Sequence, residues 1–238
     1  MKLIFIRHAD PDYTIDSLTD KGKREAALLA KRVKNWDNIS GYYCSPLGRA
    51  RLTSEYCLKD KGIEPVVCDW LREFDVPVLG EHGETKHIPW DYMPEFWTQR
   101  EELYNKDNWL DADIFKGSEI KARYRRVRDG IDGILSSYGY NRKGNLYVTD
   151  KENDDTTLVF FCHLGISYLI IGYLLGIAPF LLWHTFFVAP SAVTILGTEE
   201  RQKGIASFRV QVYGDCSHLL MGGEPISRSG YYTDPFQG

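Results

Sequence analysis

Two short apolar segments, far apart in the chain, each end directly at a histidine. Residues 2–6 precede Arg7 and His8, and residues 156–162 precede His163. Runs of this length, rich in branched and aromatic residues, are typical of buried strands. They alternate with segments of helical periodicity, which predicts a three-layer α/β/α sandwich with a mostly parallel sheet. Because such sheets bind ligands at the carboxyl ends of their strands, we expect these polar side chains to lie in a ligand site.

Other elements follow from local signals. Thr19 or Asp20 can cap a helix that runs to about Trp36. Ser45 as an N-cap and Pro46 at the first helical position predict a second helix, running to about Leu58. Four further strands are predicted over residues 40–44, 65–68, 192–197 and 205–212.

The sequence predicts a single domain over residues 1–238 with two irregular parts. An insertion at about 76–137 is dense in Trp, Tyr, Glu and Arg, and two helices are predicted in it, at about 93–104 and 118–135. It is expected to fold over the active site. Its tryptophans either line an apolar pocket or anchor it on the core. A coil tail is predicted at about 214–238. The insertion also carries basic residues that either face the substrate or form a solvated helix face: Arg100, Lys121, Arg123, Arg125, Arg126 and Arg128.

Composition and charge exclude several classes of function. A formal net charge of -4 provides no overall basic surface for nucleic acid. Five scattered cysteines without a CxxC pair argue against disulfides and thiolate zinc sites, and fit a cytoplasmic protein. Neither end resembles a targeting segment. Residues 164–183 lack charge and could span a bilayer, but Pro179 and several glycines favour two short helices instead. We therefore expect no membrane partner, and the oligomeric state, including a homo-oligomer, stays open.

Five residues have side chains suited to phosphate chemistry. Neutral imidazole is a nucleophile, and its reference pKa of about 6.5 leaves His8 mostly neutral at pH 7. Arg7 and Arg49 can grip phosphate oxygens, and His163 can donate to them. Glu73 could protonate a leaving group, with Glu81 and Glu84 as rivals for that role. Each signal alone also fits a structural role, such as a salt bridge or a capped helix.

Metal and nucleotide-binding motifs have little support in the sequence. No GxxxxGK[ST] motif occurs. His82 and His87 lie near Glu81 and Glu84, but HExxH spacing is absent. The sequence therefore predicts no metal and no cofactor.

Taken in order along the chain, these segments resemble the histidine phosphatase superfamily, also called phosphoglycerate-mutase-like proteins. The similar segments are Ile4-Phe5-Ile6-Arg7-His8, Leu18-Thr19-Asp20-Lys21-Gly22, Ser45-Pro46-Leu47-Gly48-Arg49-Ala50, Cys162-His163 and Asp215-Cys216-Ser217-His218-Leu219. The resemblance implies that His8 becomes phosphorylated, and that Arg7, Arg49 and His163 clamp the phosphoryl oxygens. It also implies that Glu73 protonates the leaving group and then activates water. The implied activity is hydrolysis of a small phosphorylated metabolite.

Two departures from the family pattern bear on the choice between activities. Ala9-Asp10-Pro11 stands where the family usually has glycine and then Thr or Ser. Phe74 to Gly83 replaces the Gly-x-Trp-x-Gly stretch that commonly follows the acid. These differences disfavour a phosphoglycerate-type mutase. They leave a non-catalytic module that binds phosphate esters as another alternative.

Overall fold

A computed structural model describes residues 1–86, 88–152 and 154–237, and in it the two histidine-bearing strands are neighbours at the centre of an eight-stranded sheet. Twelve strands occur in these ranges: β1 (Lys2–Arg7), β2 (Pro11–Asp12), β3 (Ser17–Leu18), β4 (Gly41–Cys44), β5 (Val66–Val67), β6 (Val78–Leu79), β7 (Thr85–Lys86), β8 (Asn141–Lys143), β9 (Leu146–Val148), β10 (Thr157–Cys162), β11 (Val193–Gln202) and β12 (Ile205–Asp215). The large sheet has the order β5-β4-β10-β1-β11-β12-β9-β8, and β2–β3 and β6–β7 form two small ribbons.

Seven α-helices accompany the strands in the described ranges: α1 (Asp20–Lys34), α2 (Gly48–Leu58), α3 (Pro94–Trp97), α4 (Ile120–Ser137), α5 (Leu164–Leu175), α6 (Pro179–Thr185) and α7 (Ser217–Gly222). Thr19 caps α1, and its hydroxyl accepts a hydrogen bond from the Gly22 amide, as predicted. The second helix begins later than predicted. Leu47 is the N-cap residue and provides no side-chain cap, because leucine has no polar side-chain atom.

Successive side chains along the central strands pack against different helices. Leu3 and Phe5 belong to one apolar cluster, which also contains buried residues of α4, α5 and α6. Ile4 and Ile6 belong to another cluster, which contains Leu29 of α1 and other residues of α1 and α2. Successive residues of a strand point to opposite faces of the sheet. The predicted three-layer α/β/α fold is therefore present.

The sheet is mixed, so the expectation of a mostly parallel sheet was too strong. The pairs β5/β4, β4/β10 and β10/β1 are parallel. The remaining four pairs, from β1/β11 to the β9/β8 edge, are antiparallel. Short connections account for two of the four antiparallel pairs, β8/β9 and β11/β12, because a tight turn joins antiparallel neighbours whereas parallel strands need a crossover. The turn between β11 and β12 consists of only Lys203 and Gly204, with φ of 78° at the glycine.

The uncharged segment 164–183 folds as the sequence predicts, into two helices. α5 ends at Leu175, and Gly176 follows in the left-handed conformation with φ of 69°. Pro179 then begins α6. Among the described residues, no helix combines the length and apolar character required to cross a membrane.

The insertion and the tail differ from the prediction. The helix expected over 93–104 is only α3, followed by a separate 3-10 turn at Glu101–Tyr104. The tail is not all coil, because β12 extends to Asp215 and α7 follows before residues 223–237, which contain neither helix nor strand. Trp97 and Trp109 are buried in the same apolar cluster as Phe160 of β10, so these two anchor the insertion on the core. We therefore propose that residues 1–238 form one domain.

Removal of the Phe160 ring should destabilise the fold strongly. This side chain is fully buried between Phe5 and Tyr43, whose ring centroids lie 5.2 and 5.1 Å away. We expect Phe160→Ala to lower the free energy of unfolding by about 3–5 kcal/mol, measured by urea denaturation. Phe236→Ala is the control, since its ring is 87% exposed, and we expect a change below about 0.5 kcal/mol. Equal effects of the two substitutions would contradict this account of the core.

Candidate active site

The register between β1 and β10 brings the two histidines together. Arg7 pairs with Cys162, so His8 and His163 follow at the same level of two adjacent strands. The His8 amide donates to the Cys162 carbonyl at 2.9 Å, and the imidazole centroids are 5.1 Å apart. Both side chains are buried, His163 completely. The predicted meeting of these residues at the carboxyl edge of the parallel strands is therefore present in the structure.

The His8 ring is held in one tautomer by its own backbone. Its Nδ1 lies 2.8 Å from the Ala9 carbonyl oxygen. A carbonyl can only accept a hydrogen bond, so Nδ1 carries the proton and Nε2 keeps its lone pair. The Ala9 amide donates to the Thr53 hydroxyl at 3.1 Å, and the Asp10 amide, in the same peptide as the Ala9 carbonyl, donates to Glu25 Oε2 at 2.8 Å, so both peptides beside the ring are held. The nitrogen available for attack is therefore Nε2.

Burial keeps both imidazoles neutral. The pKa of His8 is lowered well below its usual value by burial, and next by the Arg7 charge. The pKa of His163 is lowered in the same direction by burial, by His8 and by Arg49. Neutral imidazole is the nucleophilic form, so His8 is ready to react over a wide range of pH.

The two arginines are anchored through one terminal nitrogen each. Arg7 Nη1 donates to the Val188 carbonyl at 2.7 Å, and Arg49 Nη1 contacts Asp16 Oδ1 at 2.6 Å. Both side chains are buried, and each guanidinium lies about 5 Å from an aromatic ring, Phe187 or Tyr13. The Nε of each arginine has no hydrogen-bond partner among the described residues. Each arginine therefore keeps its Nε edge for a ligand.

Ser45 connects β4 to the histidine pair. Its hydroxyl lies 2.7 Å from His163 Nε2 and also accepts from the Leu47 amide at 3.2 Å. The serine is fully buried, and its amide donates to the Phe161 carbonyl of the neighbouring strand. The sequence assigned this residue to a helix cap, and its contact with His163 was not predicted. His163 Nδ1 has no hydrogen-bond partner in the described part of the chain.

Glu73 lies at the N-terminus of α5, next to His163. Its Oε1 accepts from the Phe74 and Ile166 amides, both at 2.9 Å, and its Oε2 accepts from the Gly165 amide at 3.3 Å. Burial raises the pKa of this carboxyl group, although the three amides oppose the shift. A Cβ on Gly165 would stand 2.8 Å from Glu73 Oε1 and 2.3 Å from the Trp90 ring, so only glycine fits there.

The two rival carboxylates belong to a different part of the molecule. Glu84 is exposed in the turn between β6 and β7, where it accepts from the His82 amide and lies 3.7 Å from Lys86 Nζ. Glu81 is in the same turn and accepts from the Met93 amide. Neither has a hydrogen bond to α5 or to the histidines among the described residues.

Asp16 is a site residue that sequence reasoning missed. Its carboxylate bridges Arg49 Nη1 and the Gly48 amide, the latter at 2.7 Å. Gly48 is the first residue of α2, so one of the N–H groups at this helix N-terminus already has a partner within the protein. Asp16 has a φ of 48°, and a Cβ on Gly48 would meet its carbonyl oxygen at 2.1 Å. No periodic or local signal in the polar loop indicated this contact.

The loop after His8 rests on α1 and on the tail. The Asp10 amide donates to Glu25 Oε2 at 2.8 Å, and the Asp10 carboxylate accepts from Thr19 and Ser227. Glu25 is fully buried, and burial raises its pKa to about 7, although Lys21 Nζ lies 3.5 Å from its Oε1. The segment Ala9-Asp10-Pro11 is thus held by contacts unlike those expected of a Gly-Thr sequence.

Residues 215–219, near the C-terminal end of the chain, are connected to His8 through Ser191. Ser191 donates its amide to the His8 carbonyl at 3.1 Å, and its hydroxyl lies 3.0 Å from His218 Nε2. Burial lowers the pKa of His218 to about 4. His218 therefore supports the backbone of His8 through Ser191, and among the described residues it has no hydrogen bond to the His8 ring.

Basic residues of the insertion are directed away from the histidines. Lys121, Arg125 and Arg128 line a separate cleft, and Arg100 packs over the Phe96 ring at 4.2 Å. Arg123 pairs with Asp75 at 3.7 Å, and Arg126 is exposed. Over residues 1–86, 88–152 and 154–237, no cluster of three or more His, Cys, Asp or Glu side chains is arranged to hold a metal ion. His87, considered with His82 above, lies outside the described residues.

Comparisons with known proteins were made by sequence and by structure. The sequence model of the histidine phosphatase superfamily (branch 1) matches residues 3–211. A comparison with curated proteins found no match.

Solved structures similar to this chain include several phosphatases. A mutant phosphoserine phosphatase from Entamoeba histolytica in complex with phosphoserine is 18% identical, with a TM-score of 0.57, over 92% of this chain and 98% of that chain. A mycobacterial glucosyl-3-phosphoglycerate phosphatase is 18% identical, with a TM-score of 0.59, over 90% and 98%. The α-ribazole phosphatase from Shigella flexneri is 22% identical, with a TM-score of 0.56, over 91% and 97%. At these identities the likeness shows the shared fold.

Titration of Glu25 should make the fold less stable as pH rises. The pKa of Glu25 in the folded protein, about 7, exceeds the ordinary value of 4.5. The contribution of Glu25 to the free energy of unfolding is therefore complete below pH 4.5 and is lost as pH rises through 7. The full shift corresponds to about 3 kcal/mol. We expect Glu25→Gln to remove most of this loss, as measured by urea unfolding at about pH 5 and about pH 8. The wild-type protein and Glu25→Gln should be compared at each pH. An equal loss of unfolding free energy in both proteins would contradict the assignment of the pH dependence to Glu25.

Proposed function

Because this chain belongs to the histidine phosphatase superfamily and is a histidine-type phosphatase, we propose that it hydrolyses a small phosphorylated metabolite through a phosphohistidine at His8. The family match covers residues 3–211, which include every residue assigned a role below. The similar solved structures act on phosphoserine, glucosyl-3-phosphoglycerate or α-ribazole phosphate by their names, and those substrates share a phosphomonoester. We place this chain's substrate in that chemical class.

One observation carries the proposal: buried nitrogens without partners gather around the nucleophile. Arg7 Nε, Arg49 Nε and His163 Nδ1 are all buried and lack hydrogen-bond partners among the described residues. Arg7 directly precedes His8, whose ring lies 5.1 Å from that of His163, and Arg49 is in the first turn of α2, just after the Ser45 whose hydroxyl contacts His163. The charges of both arginines lower the pKa of both histidines. An unpaired buried donor costs about 1–3 kcal/mol, and a charged one costs more. A phosphoryl group would satisfy these donors at once.

The arginines present the edge that suits an oxyanion. With Nη1 of each anchored to protein, the Nε and Nη2 of Arg7 and Arg49 remain for the ligand. This edge of a guanidinium makes two parallel hydrogen bonds to a phosphate. Two such forks neutralise the dianion and the charge that develops as the bonds to phosphorus change.

The first step transfers the phosphoryl group to His8. Nε2 attacks phosphorus, the bond to the ester oxygen breaks, and the leaving alcohol takes the proton of Glu73. The Nδ1–H bond to the Ala9 carbonyl supports the positive charge that grows on the ring. Glu73 is suited to the role of acid, because burial raises its pKa and keeps a proton available nearer to neutral pH.

The second step reverses the proton transfer. The Glu73 carboxylate removes a proton from water, the hydroxide attacks phosphorus, and the bond to His8 Nε2 breaks to release inorganic phosphate. The α5 amides of Gly165 and Ile166 stabilise the carboxylate in this half of the cycle. One carboxyl group therefore serves as acid and then as base.

Hydrolysis of an aryl phosphate tests the nucleophile. We expect the wild-type protein to release phosphate and to form an acid-labile phosphoenzyme, and we expect His8→Ala to lose both, because it lacks the attacking nitrogen. His82→Ala is the matched control, since that histidine is exposed in the β6–β7 turn, and it should retain full activity. Turnover that survives His8→Ala would refute the mechanism. Conversion of a phosphoglycerate to its isomer without release of phosphate would indicate the mutase instead.

The leaving group separates Glu73 from its rivals. An alkoxide needs a proton far more than a nitrophenolate does, so Glu73→Gln should reduce kcat/KM, which reports the phosphoryl transfer to His8, by about 10²–10⁴-fold for an alkyl phosphate. The loss should be much smaller for p-nitrophenyl phosphate. Glu84→Gln is the matched control and should leave both rates unchanged. If Glu84→Gln produces the selective loss and Glu73→Gln does not, the assignment of the acid is wrong.

A further inference from the structure

A second concentration of positive charge lies at the opposite end of α5 from His163. A cleft of about 520 Å³ opens between α4, the last turn of α5 and the turn that joins β8 to β9. This volume is within the range of small-molecule sites, about 300–1,000 Å³. Five basic residues line it: Lys106, Lys121, Arg125, Arg128 and Arg142.

The spacing of basic residues along α4 creates one wall of this cleft. Lys121, Arg125 and Arg128 are separated by four and three residues, so their side chains form one stripe on the helix. Tyr124 and Val127 form the neighbouring stripe and are buried against the core. The amphipathic pattern that fixes α4 on the core therefore also fixes the direction of its basic stripe.

The cleft carries more positive charge than its own carboxylates neutralise. Lys106 pairs with Asp107 at 2.5 Å, and Lys121 pairs with Asp111 at 2.6 Å. Arg125, Arg128 and Arg142 form no ion pair with a carboxylate in the described ranges. Five cations face two lining carboxylates, and Asp132 lies behind Tyr147 and Tyr173, so the local excess is two positive charges.

Two of these guanidinium groups are held close to one aromatic ring. Arg142 lies 3.9 Å from the centroid of the Tyr173 ring, and Arg128 lies 4.8 Å from the same centroid. Arg142 is fixed by hydrogen bonds to Gly144, Tyr147 and Tyr173, and the Tyr147 and Tyr173 hydroxyls donate to Asp132 behind the cleft. The arrangement is therefore preorganised. The like charges repel each other, and a bound anion would offset this repulsion.

We propose that this cleft binds a small anion with two or more phosphate groups, at a site distinct from the phosphatase centre. Arg125 and Arg128 are three residues apart on one face of α4, so their guanidinium groups can bind neighbouring phosphates of one ligand. The guanidinium groups of Arg125, Arg128 and Arg142, which have no carboxylate partner in the described ranges, favour an anion of higher charge than orthophosphate. The aromatic rings are buried or covered by guanidinium, so charge rather than stacking of a base selects the ligand.

The cleft shares no lining residue with the His8 site. Tyr173 follows His163 by ten residues, so α5 separates the two places by about 15 Å. Trp109 lines the cleft, and its ring lies 5.5 Å from Trp183, which donates to the Gly165 carbonyl beside Glu73. A ligand in the cleft thus contacts the same helix and aromatic packing that position the acid.

Calorimetric titration with inorganic tripolyphosphate tests the site. The full-length chain carries His8→Ala so that no probe is turned over. Charge-assisted hydrogen bonds are strong, so we expect Arg125→Gln with Arg128→Gln to weaken binding at least about tenfold. Arg126→Gln on the same helix is the matched control, because Arg126 is exposed outside the cleft, and it should change affinity less than about twofold. Arg49→Gln should leave the cleft's binding intact.

Three results would overturn the proposal. An equal effect of Arg126→Gln would mean diffuse surface attraction, and complete loss with Arg49→Gln would mean binding at the His8 site only. Absence of any heat at millimolar tripolyphosphate would mean no site. Orthophosphate, titrated in parallel, should bind the cleft more weakly than tripolyphosphate. Since the titration measures binding and no hydrolysis, its outcome is independent of the aryl phosphate assay.

Discussion

The site depends on one register, the parallel pairing of β1 with β10. Arg7 opposite Cys162 sets the next residue of each strand, a histidine, at the same level of the sheet edge. Because side chains alternate along a strand, a shift of either strand by one residue would move its imidazole and its apolar residues to the wrong face. The alternation of Leu3 and Phe5 with Ile4 and Ile6, which fills two different cores, therefore also aligns the chemistry.

The sequence predicted the parts of the site that follow directly from strands. Arg7, His8 and His163 extend apolar runs, so strand ends alone bring them to one edge of the sheet. Glu73 was one of three candidate acids by its chemistry, and the resemblance implied its role; in the structure it contacts the start of α5. The three-layer arrangement could be predicted for the same reason, since strand and helix periodicities recur along the chain. The antiparallel half was missed, because the pattern of apolar residues that predicts a strand does not specify the direction in which the strand pairs.

The contacts of residues outside the regular pattern of strands and helices were not predicted. Asp16 comes from a polar loop, and its partner Arg49 lies on another element, so the pairing depends on a backbone path that sequence patterns do not specify. Ser45 was predicted to cap a helix, but the residue is fully buried and its hydroxyl forms a hydrogen bond with His163. In the insertion, Pro94 and buried tryptophans favour short turns anchored by single rings, where helical spacing alone suggested a longer helix. Tertiary contacts outweighed local preference in each case.

The Asp16 bridge has a consequence for the protein at rest. A guanidinium and a helix N-terminus together attract any stray anion, including the inorganic phosphate that a hydrolase releases. The Asp16 carboxylate occupies Arg49 Nη1 and the Gly48 amide, so an arriving anion meets only the Nε edge of Arg49. The like charge of Asp16 weakens the attraction of that edge for an anion with no other contacts. We expect an ester that gains further contacts through its organic part to be held more tightly there than inorganic phosphate.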